Sequence, residues 1–154
     1  MRNKALRNFM IGASIAGLAS APLLAAAADV VRARIAGLRE LGASFKNVND
    51  ELKKDDPSKM IMQISARQIR DVARDQYKWF PAGSGPQPGI KTKAKPEIWT
   101  RGAEFKAAQD AFAKQADAFF KVAAGGDVAA MKTQVRQLGG TCGACHRNFR
   151  AEAS

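Results

Sequence analysis

The chain has 154 residues and a formal charge of +11, which allows one packed domain with a basic surface. Two cysteines and a single histidine exclude a structural zinc site built from four Cys and His ligands. Beyond the N-terminus, no stretch approaches the length and apolarity of a membrane span.

Residues 1–28 have the three-part layout of a secretory signal. Arg2, Lys4 and Arg7 make a basic start, Phe9 to Leu24 is apolar and small, and Ala25 to Ala28 offers cleavage positions before Asp29. An uncleaved membrane anchor is the competing reading, but Gly12, Gly17 and Pro22 interrupt the run. The expected mature domain is 29–154, exported. Cleavage after Ala28 leaves 22 basic against 14 acidic residues, a charge of +8. Such a surface favours acidic partners and anionic lipid headgroups; an exported protein rarely meets nucleic acid.

Asp29 to Leu52 reads as a helix with a seam of Val31, Leu38, Leu41, Phe45, Val48 and Leu52 at three- and four-residue steps. Arg34 takes the remaining seam position, where an arginine either snorkels to water or meets a buried anion. Asp56-Pro57 looks like an N-cap and first helical residue. It opens a second helix to about Trp79, striped by Met62, Ala66, Ile69, Ala73 and Gln76, widened by Ile61, Ile64 and Val72, and ended by Tyr77, Trp79 and Phe80. From Pro81 to Lys95 the proline and glycine content forbids helix, and a loop this long is expected to cover one end of the domain. Pro96-Glu97 opens a third helix whose seam runs Ile98, Gly102, Phe105, Gln109, Phe112, Ala116, Phe119 and Ala123, stopped by Gly125-Gly126. Asp127 caps a fourth, with a seam of Val128, Met131, Val135, Leu138, Cys142, Cys145 and Phe149. No segment alternates with period two. The expected fold is all-α, an antiparallel up-down-up-down four-helix bundle.

Thr141-Cys142-Gly143-Ala144-Cys145-His146 holds both cysteines and the only histidine. Cys-x-x-Cys-His is the attachment pattern of c-type haem: two thiols three residues apart reach the porphyrin edge, and the histidine after them aims a nitrogen at the iron. A thioredoxin-like dithiol needs a strand–helix unit, which is missing. Zinc lacks its fourth ligand, and a disulfide across two residues closes too small a loop to matter. Gly139-Gly140 inside the fourth helix costs about 1 kcal/mol per glycine, explained either by a flat group lying close or by a plain kink.

The C-terminal Cys142-x-x-Cys145-His146, the Arg34-x-x-x-Leu38 pair and Lys95-Pro96-Glu97-Ile98-Trp99 together resemble the cytochromes c′, the class II c-type cytochromes, over residues 28–152. The resemblance implies a periplasmic four-helix bundle with one covalent haem c at one end, often a homodimer. It implies a five-coordinate iron that binds nitric oxide and carbon monoxide, or transfers electrons to a periplasmic redox partner, rather than an enzyme. By position, Cys142 and Cys145 match the thioether sites and His146 the axial ligand. Leu38 matches the residue shielding the other face, Arg34 the arginine near the haem propionates, and Arg150 the basic residue beside the proximal face.

Antiparallel geometry adds its own expectation. The end of the fourth helix lies level with the start of the first, so Val31, Arg34, Ile35 and Leu38 wall the haem, together with Tyr77, Trp79, Phe80, Trp99 and Phe105. Thr92 and Glu97 are expected at the haem edge. With no second histidine, methionine is the other strong ligand. Met131 lies fifteen residues before His146, roughly 22 Å along a helix, and Met60 and Met62 begin the second helix. The sixth position is therefore expected to have no permanent protein ligand, although lysine stays open. An apolar cap at Leu38 then admits small uncharged diatomics. The alternatives are a six-coordinate low-spin electron carrier and a peroxidase, the latter lacking a distal acid–base pair.

Overall fold

The computed structural model describes residues 21–152. The expected signal sequence lies mostly outside them, in residues 1–20. Helix α1 runs Ala21–Glu51, α2 Lys59–Asp75, α3 Glu97–Thr100, α4 Gly102–Gly125 and α5 Val128–Phe149, with a 3-10 turn at Gln76–Lys78. Close backbone packing joins α1 to α2, α2 to α4 and α4 to α5, so the four long helices form the antiparallel bundle expected.

The seams predict the core closely, because helix burial follows the 3.6-residue period. Val48, Met62, Ile69, Phe119, Met131 and Leu138 are fully or almost fully buried in one cluster. A second cluster, of Ile98, Phe105 and Phe149, lies where α3, the start of α4 and the end of α5 meet. Ile61 and Ile64, expected to widen the stripe of α2, are exposed instead.

Two boundaries differ from expectation. The cap of α2 is Ser58, not Asp56: its hydroxyl accepts from the Ile61 N–H at 3.4 Å, while its own N–H donates to Glu51 at 2.9 Å. The third helix breaks at Arg101 (φ −118°, ψ 46°). The Arg101 N–H closes α3 on Glu97 at 2.8 Å, and its carbonyl accepts the Phe105 N–H that starts α4. The break turns Ile98 and Trp99 onto Phe105. As expected, α5 contains Gly139-Gly140 and passes through them without interruption. Its start is as expected, with the Asp127 carboxylate accepting from the Ala130 N–H at 3.0 Å. Gly126 (φ 74°) ends α4 in the left-handed conformation that glycine adopts freely.

The 81–95 loop folds over one end of the bundle, as its length suggested. Ser84 and Ile90 are buried. Its last residues pair antiparallel with the end of α5: Lys95 N–H donates to Phe149 O at 3.0 Å and Ala151 N–H to Lys93 O at 2.8 Å.

Candidate functional site

Helix α5 carries the chemistry, and the helical period places it. Cys142 packs against the main cluster and Cys145 against the smaller aromatic one. The two thiols therefore span the junction between the two cores. Both are free and half-buried. Burial pushes both thiols up, and Cys142 also donates weakly to Leu138 O at 3.6 Å. They stay protonated at neutral pH, as structural rather than redox-active thiols do. His146 is held below its usual value, first by burial and then by the positive charge of Arg150. A neutral imidazole is the form that ligates iron.

Leu38 occupies a seam position on α1 yet is 39% exposed, with Ile35, Leu41 and Phe45 half-buried around it. The methionines are elsewhere: Met62 and Met131 are wholly inside the main cluster and Met60 is exposed at the start of α2. No group of three or more His, Cys, Asp or Glu side chains gathers to hold a metal among the described residues. Two thiols at the junction of two apolar clusters, followed on the same helix by an exposed imidazole, fit a covalent haem.

Arg34 neither snorkels nor meets a carboxylate. It is 1% exposed and its guanidinium donates to four neutral acceptors: Trp79 O at 3.2 Å, Ser84 Oγ at 3.1 Å, Ser84 O at 3.0 Å and Thr92 Oγ1 at 3.0 Å. It also stacks 4.7 Å over the Phe80 ring. Arg34 therefore ties the 81–95 loop to α1. Thr92, expected at a haem edge, is committed to Arg34 and to the Ala94 N–H at 3.1 Å. Only the Arg34 Nε–H is left free to meet an anion.

The aromatic wall forms with one exception. Phe80, Phe105 and Phe149 stack edge to face with centroids 4.8 and 5.1 Å apart, and Trp99 donates its indole N–H to Phe80 O and Pro81 O. Tyr77 points away: its hydroxyl donates to Asp110 at 2.8 Å, and burial with that carboxylate pushes it up to about 12. Trp79 lies flat on α1, so a Cβ at Gly37 would fall 2.4 Å from its ring. Glu97 Oε2 is buried without a hydrogen-bond partner. Arg150 caps α5 in an extended conformation (φ −120°, ψ 129°), its N–H donating to His146 O, and its charge acts on His146. Gly139 is explained by a protein neighbour, since Phe45 Cζ lies 3.1 Å from where its Cβ would be.

Sequence reasoning missed Ser84, Ala94 and Gly37. Ser84 and Ala94 act through partners about fifty residues away, which no local pattern reveals. A glycine in mid-helix at 37 was the visible signal for close packing.

Three comparisons bear on this arrangement. The family model described as Cytochrome C′ matches residues 29–150. Cytochrome c′ of Rhodospirillum rubrum is 32% identical over 96% of this chain and 100% of its own. Among solved structures, a cytochrome c′ described as having ligand-controlled dimer dissociation superposes with a TM-score of 0.77, at 23% identity over 89% of this chain and 100% of its own. The nitric oxide complex of a cytochrome c prime variant from Alcaligenes xylosoxidans gives 0.74, at 22% identity over 82% and 97%.

Proposed function

The chain belongs to the cytochrome c′ family and carries one covalent haem c, and from that premise we propose a periplasmic protein that binds small uncharged gases and passes single electrons. When bound, the haem supplies a redox-active iron able to take a diatomic ligand. The chain does the rest. Cys142 and Cys145 would hold the haem through two thioethers, and His146, held neutral, would supply a nitrogen to its iron. Leu38 would offer water no hydrogen-bond partner at the open position.

The observation that carries this reading is the grouping on α5 of two half-buried thiols, set at the junction of two apolar clusters, with the only histidine, while Met62 and Met131 lie inside the main cluster. The nitric oxide complex of the Alcaligenes relative supports nitric oxide as one ligand, with carbon monoxide as its laboratory counterpart. The relative with ligand-controlled dimer dissociation supports a homodimer.

The reading is tested by mass and acid extraction of the protein exported from a bacterial host that attaches c-type haem. Intact protein should carry one acid-stable haem, and the Cys142→Ser, Cys145→Ser variant none. A wild-type haem that acid extracts would contradict it. The same mass reports whether residues 1–28 have been removed.

A further inference from the structure

We propose that Lys91, Lys93, Arg147 and Arg150 form the docking surface for the acidic face of a redox-partner protein. The proposal rests on the electron-passing part of the function given above.

The fold brings these four cations together. The pairing of residues 93–95 with 149–151 lays the lysine-bearing segment along the end of α5. Burial alternates along that segment: Lys91 and Lys93 are exposed, while Thr92 and Ala94 turn inward, as side chains do on extended backbone. Thr92 holds Arg34. Ala94 packs in the same small cluster as Cys145. The outward lysines thus belong to the segment whose inward Ala94 shares a cluster with the attachment residue Cys145. Arg147 and Arg150 are exposed beside them.

None of the four enters an ion pair among the described residues. Arg39, Lys59, Arg67, Lys95, Lys114, Lys121, Lys132 and Arg136 are unpaired as well. What sets the four apart is that the 93–95 and 149–151 pairing gathers them at one place. Of the acids on these two segments among the described residues, Glu97 has turned an oxygen inward and Glu152 is exposed. A favourable interaction with the carboxyl end of α5 accounts for a cation or two in the last turn, but not for Lys91 and Lys93 on a separate segment. A patch of unmatched charge over a redox centre steers an oppositely charged partner. The partner is a protein rather than a lipid surface, because the exposed large apolar side chains (Leu24, Leu38, Met60, Ile61, Ile64, Tyr77) all lie outside the patch, leaving nothing here to insert.

The test compares Lys91→Glu, Lys93→Glu with Lys114→Glu, Lys121→Glu, an equal charge change on the exposed face of α4. Oxidation of reduced holoprotein by hexacyanoferrate(III), an anionic probe, should slow at least about threefold in the first variant at low ionic strength. The difference should vanish at about 0.5 M salt, and the α4 variant should stay close to wild type. Equal slowing of both variants would overturn the patch in favour of overall charge. Poly-L-glutamate and phosphatidylglycerol vesicles separate the partner classes. Wild type should bind the peptide with a patch-dependent affinity and leave the vesicles; preference for the vesicles would overturn the protein partner. Peptide binding reads the patch whether or not haem is attached, so a failure of the haem reading shows separately.

Discussion

Replacing Arg34 with methionine keeps much of the stem and removes the guanidinium. Four hydrogen bonds from a charged donor disappear, to Trp79 O, Ser84 Oγ, Ser84 O and Thr92 Oγ1. At the low end of about 1.5 kcal/mol each, they sum to about 6 kcal/mol. Against this stands the relief of no longer burying a cation with no carboxylate beside it, about 3 to 4 kcal/mol. Burial indeed holds the Arg34 guanidinium below its usual value. The orphaned acceptors are unequal. Ser84 Oγ still donates to Pro81 O at 2.8 Å and Thr92 Oγ1 still accepts from Ala94, whereas the Ser84 carbonyl keeps no donor. The expected net loss is about 2 to 3 kcal/mol, a fall in Tm of roughly 8 to 12 °C for a domain of this size. Urea denaturation followed by far-UV circular dichroism reads the loss, and limited proteolysis should cut the 81–95 loop first. Thr92→Val, which removes one of the four bonds and the acceptor of the Ala94 N–H, should cost about 2 kcal/mol. An Arg34→Met variant within about 0.5 kcal/mol of wild type, with its loop equally resistant, would refute the reasoning, since surface changes alone stay within that range.

Gly37→Ala places a methyl 2.4 Å from the Trp79 ring, so α1 and Trp79 must part; the expected cost is about 1 to 3 kcal/mol with a red shift of tryptophan emission in haem-free protein. Leu38→Ala should speed carbon monoxide binding to reduced holoprotein several-fold in stopped flow, and an unchanged rate would mean that another residue caps the iron. The pH dependence of the haem-free chain follows from His146. Its folded value lies below the unfolded one, so the unfolded state takes the proton first as pH falls through the ordinary histidine range. Stability is then lost until the folded histidine titrates as well. His146→Gln should flatten the pH 7 to 5 part of the denaturation profile relative to wild type.

The helical seams were readable because burial in a bundle is a local, periodic property. Met62, Ala66, Ile69 and Ala73 were assigned to one stripe from spacing alone, and all four are buried. The attachment motif was readable for the same reason, being contiguous. What escaped was decided by residues far apart in the chain. Arg34 was marked as an anomaly on an apolar seam, but its acceptors at 79, 84 and 92 come from a loop with no periodic signal. The break at Arg101 has only Gly102 to announce it, and a lone glycine in a helical pattern is usually tolerated. The glycine at 139 left open a close neighbour or a plain kink, and Phe45 of α1, far away in the chain, is the residue that approaches it.

The central claim is an iron with His146 on one side and no protein ligand on the other. The absorption spectrum of the reduced holoprotein, before and after carbon monoxide, tests it most directly. The account predicts a high-spin reduced spectrum that converts on adding the gas. A low-spin reduced spectrum that carbon monoxide leaves unchanged would contradict it and identify a six-coordinate electron carrier.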